Sequence, residues 1–235
     1  MTTTHKLLLN HFICHVALII AFMEGSAWMW VAGFCWYYII TIVSSSAGYH
    51  RYYSHNSFKA GKWFQWLTNS LSLFVGSGPY LTRAAIHRMH HAYSDTEKDP
   101  SSPKHQGFWK IYLNLWGTEN KIERKFFKGL IGNPILKFFH DHYFKMVICL
   151  VVILYMIDPL VLLFAYALPC VLSFHLFGLF NAYLHKDEVI KDSHLLNLFT
   201  AGEGYHGVHH RNSKQLRHGL IDPTYFFIRL IQSKP

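Results

Sequence analysis

The amino-acid sequence predicts an all-α integral membrane protein, with four transmembrane helices in two hairpins and a helical cap on the cytoplasmic side. Three observations predict it: two long stretches without cations, the length of those stretches, and turn residues near their middles. The 235-residue chain carries 22 Lys and Arg, yet none lies between Lys6 and Arg51 or between Lys145 and Lys186. A helix crosses the hydrocarbon core with about 20 apolar residues. Each cation-free stretch, 7–50 and 146–185, therefore holds two spans.

The first span, near 8–23, contains ALIIAFM, a run without a polar face. A secretory signal over 1–27 is the competing account of this start, since Lys6, an apolar run and Gly25-Ser26-Ala27 follow its order. Against it, a second apolar span follows at once. Glu24-Gly25-Ser26 turns the chain into that span, near 28–47. The third, near 144–158, contains VICLVVILYMI, and Asp158-Pro159 opens the fourth, near 160–182. A soluble all-α protein with two buried hairpins is the rival class, but these runs are apolar all round.

Lys and Arg concentrate in cytoplasmic loops. The N-terminus, the segment 50–143 and the tail from 185 are thus expected on the cytoplasmic side. Charged residues make up 15% of the chain, well below the roughly 25% of soluble proteins. No Pro/Gly/Ser-rich linker or repeat divides it, so 1–235 reads as one domain. The net charge of +9 suits anionic lipid head groups, an anionic substrate head or an acidic electron donor. Enforcing topology accounts for it equally well. No nucleic-acid motif is present. Cys14, Cys35, Cys149 and Cys170 all fall in the spans, form no C-x-x-C, and are expected to be buried and inert.

Histidine carries the chemistry. Of 18 in the chain, nine form a pattern. His50 and His55 read H-R-Y-Y-S-H; His87, His90 and His91 read H-R-M-H-H; His185 closes N-A-Y-L-H; His206, His209 and His210 read H-G-V-H-H. On a helix, the three rings of H-x-x-H-H fall within about 100° of one another, so they can converge on metal. Asn181 and His185, four apart, share a face. His50 and His55, five apart, would splay by about 140° on a regular helix, which predicts a helix end or approach from different sides. Nine imidazoles exceed one ion and fit two, each with four or five nitrogens. Imidazole suits Fe, Zn, Cu and Ni alike, and the ligand count leaves two zinc ions open.

These residues resemble the membrane fatty-acid desaturases, especially the acyl-CoA delta-9 branch. The resemblance runs through G-Y-H-R-Y-Y-S-H-N-S-F-K at 48–59, H-R-M-H-H-A-Y-S-D-T-E-K-D-P at 87–100, N-A-Y-L-H at 181–185, T-A-G-E-G-Y-H-G-V-H-H at 200–210, R-H-G-L at 217–220 and D-P-T-Y at 222–225. It implies a cytoplasmic di-iron site with O2 as co-substrate. His50, His55, His87, His90, His91, His185, His206, His209 and His210 would be the iron ligands, and Asn181 would hold a water on one iron. It further implies a fatty acyl substrate carried on CoA or lipid, and a separate cytochrome b5-like or ferredoxin-like electron donor.

Some text departs from the family. Arg83 occupies the region where a Trp is expected before the second box, and the third box reads G-V-H-H in place of N-x-H-H. H-L-F-G at 175–178 offers His175 as an alternative to His185. His185 is preferred because His175 would lie about 15 Å deeper in the bilayer. These departures bear on the substrate rather than on the metals.

Ligating histidines usually give their other N–H to a carboxylate or carbonyl. Asp95, Asp99 and Glu203 are candidates for that contact, with solvated loop charges the competing account. Phe34 and Tyr38, four apart upstream of His50, are expected to close the end of an acyl tunnel; packing against lipid or a neighbouring helix is the rival. Two other activities fit parts of the pattern. A membrane di-iron hydroxylase would use similar boxes. A metal transporter would place its histidines within the spans, whereas here nearly all the clustered ones lie in polar segments.

Overall fold

The computed structural model describes residues 2–114, 122–187 and 189–233. Among them every regular element is helical, and four helices are long and apolar enough to cross a membrane. The first is α1 (Thr3–Glu24). The second is α2 (Ala27–Ile40) continued without a break by a π-helical stretch (Thr41–Ser54). The cap then begins with α3 (Lys62–Ser72), α4 (Tyr80–Tyr93), α5 (Pro103–Gln106) and α6 (Phe108–Tyr112). The third span is α7 (Pro134–Ile157). The fourth joins α8 (Pro159–Leu162), a π turn (Leu163–Ala167) and α9 (Leu168–Leu184). Three short helices finish the cap: α10 (His194–Thr200), α11 (His206–Arg211) and α12 (Pro223–Ile231).

Both hairpin turns lie where the sequence puts them. Asp158 caps α8 by accepting from the Leu160 N–H, with Pro159 at the first helical position, where its missing N–H costs nothing. The first span begins at Thr3, five residues early, and the boundaries differ most in two other places. The third span starts at Pro134, ten residues early, because Asn133 accepts from the Ile135 and Leu136 N–H groups and so starts the helix there. The second runs to Ser54, beyond the apolar run, because its polar end is buried under the cap.

The apolar faces divide in two. On α1 the buried residues His11, Cys14, Leu18 and Ala21 form one stripe, while Phe12, Ile13, Ile19 and Phe22 face outward. The stripe packs with Phe139, Tyr143 and Val147 of α7 and with Leu163, Phe164 and Leu168 of the fourth span. That last span is the most enclosed, with 56% of its apolar window buried against 17% for α1. Cys14 and Cys170 are buried as expected, but Cys35 and Cys149 are exposed. They lie on outward faces of the spans, where lipid substitutes for a protein interior.

Candidate metal centre

The site is built at the cap ends of the second and fourth spans. The π-helical stretch delivers the first two histidines. There the hydrogen bond joins residues five apart, and the His55 N–H donates to the His50 carbonyl at 3.2 Å. Residues five apart therefore sit one above the other, and the two rings lie 4.9 Å apart between centroids. The splay expected on a regular helix is thus removed by a change of helix type. Small residues permit it. Ser44 donates to the Thr68 carbonyl at 2.6 Å, and a Cβ at Gly48 would run into the Thr68 side chain.

The nine histidines gather into two groups able to hold metal. His50, His55, His87, His91 and His209 form one, and His90, His185, His206 and His210 the other. Within each, the ligand atoms lie within 4.8 Å of one another. In the first, Nε2–Nε2 distances are 3.0 Å for His50–His209, 2.9 Å for His55–His87 and 2.9 Å for His91–His209. In the second they are 2.7 Å for His185–His206, 3.1 Å for His206–His210 and 3.3 Å for His90–His210. The groups adjoin, since the rings of His91 and His210 stack at 4.2 Å.

Each H-x-x-H-H box serves both groups, a refinement of the expectation that its three rings share one target. His87 and His91 go one way and His90 the other; His206 and His210 go one way and His209 the other. On a helix, i and i+4 are about 40° apart, while i+3 lies about 60° to the opposite side of i. The i,i+4 pair therefore shares a target and the i+3 ring turns to its neighbour.

Carboxylates meet the other ring nitrogen of three of these histidines. His90 Nδ1 donates to both oxygens of Asp99 at 2.9 Å. Asp99 is fully buried and also accepts from the Asp95 and Ser101 N–H groups, each at 2.9 Å. His185 Nδ1 lies 3.4 Å from Asp95, and Glu203 pairs with His50 Nδ1. Burial pushes the Asp99 carboxyl up, but the His90 hydrogen bond and charge together with the Asp95 and Ser101 N–H groups outweigh it, so the group stays below its ordinary range. Glu203 is the reverse: burial pushes it up to about 7, against the pull of the nearby Arg51 guanidinium.

Burial likewise lowers His55 to about 3 and takes His87, His206 and His209 well below their ordinary value. Burial thus favours the neutral form of these four rings, the form that binds metal. Five and four imidazole nitrogens converge within 4.8 Å, and the Nδ1 atoms of His90 and His185 turn to carboxylates, so the donor sets fit a cation in each group.

Asn181 lines a cavity of about 40 Å³ that also touches His50, His87, His90, His206 and Glu203. His175 is elsewhere. Its Nε2 meets His15 Nε2 at 2.8 Å, and its Nδ1 accepts from the Tyr112 hydroxyl at 2.7 Å. His185 is buried within the second group, and His175 belongs to neither. Phe34 is 37% exposed, stacks on Tyr38 and meets Phe199 edge-on. Neither ring lines the small cavity or the larger one adjoining it. Their face of α2 packs on α10 and the surroundings, which the four-residue spacing alone could not show.

Three residues of the centre escaped sequence reasoning. Arg51, wholly buried, donates to both Asp222 oxygens at 3.0 Å and to His218 Nδ1 at 3.0 Å. The His218 ring lies 4.8 Å from that of His209. Asp222 also caps α12 through the Tyr225 N–H at 2.9 Å. Gly202, at φ +109°, leaves room for Asp222, since a Cβ there would meet it. An Arg inside the first box and an Asp-Pro before the last helix were the available signals.

Fold and site together define a membrane-spanning protein with two histidine clusters able to hold metal. The fatty acid desaturase family model matches residues 25–220, and the chain belongs to that family. Its members are oxidoreductases acting on acyl chains. The chain is 28% identical to Delta-9 desaturase-like 5 protein of Arabidopsis thaliana over 83% of its own length and 71% of the relative's. It is 27% identical to Acyl-CoA C20 Delta5-desaturase of Anemone leveillei, covering 86% and 70%. With sn-1 stearoyl-lipid 9-desaturase of Synechocystis it shares 25% identity, covering 92% and 74%.

Proposed function

We propose that the chain is an O2-dependent fatty acyl desaturase that introduces a cis double bond into a saturated acyl chain, using two iron ions held by the nine histidines. The observation that carries this reading is the division of nine histidines, six of them buried, into adjoining groups of five and four. Structural zinc takes four ligands in a tetrahedron. The group of five offers more nitrogens than that tetrahedral set, and such a site suits oxygen-activating iron.

Bound iron supplies the oxidising power to break unactivated C–H bonds, which no side-chain acid or base can do. The substrate loses two hydrogens, a separate cytochrome b5-like or ferredoxin-like donor supplies two electrons, solvent supplies two protons, and O2 is reduced to two waters. The protein holds and insulates. Asp99, Asp95 and Glu203 fix the rings of His90, His185 and His50. Asn181 holds a water at the small cavity. The acyl group is carried on CoA or on a lipid, the two carriers named among the relatives. Both termini and the cap face the cytoplasm, where a soluble donor can reach them.

Expression in a desaturase-deficient cell, with fatty-acid profiling by mass spectrometry, tests the reading. The expected product has lost two hydrogens, and a His206→Ala control makes none. A gain of one oxygen in the product would reassign the chain as a hydroxylase. Metal flux into the cell without any altered acyl product would make it a transporter.

A further inference from the structure

A second, larger cavity of about 240 Å³ lies beside the small one that reaches the histidines. Ser45, Tyr49, Arg83 and Phe177 line both, so the two adjoin across a neck made by these four side chains. Beyond the neck the larger cavity passes apolar side chains, among them Leu7, Leu8, Ile86 and Phe174, and reaches Thr3 and Thr4 at the start of α1. An acyl chain fits such walls.

The neck is different. Arg83 is a permanent cation with five N–H donors. Its Nη1 donates to the Ser77 carbonyl at 2.7 Å, and the guanidinium lies 5.0 Å from the centre of the Tyr49 ring. These contacts fix its orientation. Its Nε is buried and has no hydrogen-bond partner among the described residues. No described Asp or Glu lines the larger cavity. A buried, unpaired donor beside a chain of methylenes is costly. The cost is removed if the substrate brings an acceptor to that point.

We propose that Arg83 is a substrate-binding residue that takes the acceptor oxygen of an acyl group, a carboxylate or an ester carbonyl, at the neck. This inference rests on the acyl-oxidising reading above and names its substrate class more closely. Arg83 lines the same small cavity as His50, His87 and His90. Few bonds therefore separate the held oxygen from the carbons facing the metals, and oxidation falls near the carboxyl end of the chain.

The test is binding, which needs neither iron nor an electron donor. Purified protein in detergent is melted with increasing palmitate, methyl palmitate or hexadecane, and each dissociation constant is taken from the rise in melting temperature. The native chain is expected to bind palmitate most tightly, the ester next and hexadecane weakest, with palmitate at least about tenfold ahead of the alkane. Arg83→Gln should erase that ranking and leave hexadecane unchanged, while Arg83→Lys keeps part of the preference for palmitate. Equal binding of palmitate and hexadecane by the native protein overturns the assignment. So does an Arg83→Gln protein that keeps the ranking. If the Gln variant does not fold, the native ranking decides alone. Binding of all three ligands alike would refute the Arg83 role yet keep an acyl site, and absence of desaturated product in cells would instead strike the activity.

Discussion

At the scale of the residue, the centre depends on side chains that never touch metal. Asp99 is fully buried and satisfied on both oxygens, by His90 and by two backbone N–H groups. Asp99→Asn removes the charge that orients His90 and puts an N–H against donors. Iron affinity is expected to fall by about 10- to 100-fold at the group of four, measured by titrating the metal-free protein; an unchanged affinity would show that His90 needs no such partner. Arg51 sits between Asp222, Glu203 and His218 with no exposure. Truncating one partner of a buried ion pair costs about 3–5 kcal/mol, because the other charge is left uncompensated. Arg51→Met should therefore lower the melting temperature sharply, whereas Arg217→Met, at an exposed position, should leave it nearly unchanged. Arg51 and Asp222 are 171 positions apart, and no local pattern pairs them. Asp99 was legible because it follows its histidine closely.

At the scale of the element, the decisive feature is the π-helical end of the second span. A π-helix hydrogen-bonds five residues apart and so brings His50 and His55 into line. Deleting Ser45 should turn the chain beyond it by about 100°, move His50 out of the group of five and lower bound iron from two ions toward one per chain. Elemental analysis beside the native protein reads this directly, and two retained irons would show that the π geometry is dispensable. The same element explains why α3 lies so close. Gly48 faces Thr68 with no room for a Cβ, so Gly48→Val is expected to destabilise by about 1–3 kcal/mol, as overpacking does, seen as an earlier melting transition. Short helices with caps in plain text, such as Asp222-Pro223 before α12, could be read from the sequence. Helix type could not, because π turns are decided by what the helix packs against.

At the scale of the whole molecule, charge and hydropathy divide the chain into a lipid-facing half and a cap. The predicted topology puts Ser26 and Ser213 on opposite sides of the bilayer. With the four native cysteines replaced, Ser213→Cys should react with a membrane-impermeant thiol reagent only after the cytoplasmic face is opened. Ser26→Cys should react from outside; labelling of both from one side would refute the orientation. The cap also explains why the nine histidines were easy to find and hard to apportion. They arrive from four places: the end of the second span, α4, the end of α9, and α11.

By itself the sequence determined that there are four spans, where their hairpins turn, and which nine histidines gather at the cap. All of this is written in local patterns: runs of about 20 apolar residues, cations at their ends, and rings at helical spacing. The tertiary structure alone decided which rings share a target, which carboxylate meets which ring, that His185 rather than His175 joins the centre, and that the cavity runs past Arg83 instead of Phe34. Those are contacts between segments tens to hundreds of residues apart. Their partners are set by how whole helices pack, and spacing along one helix carries no record of that.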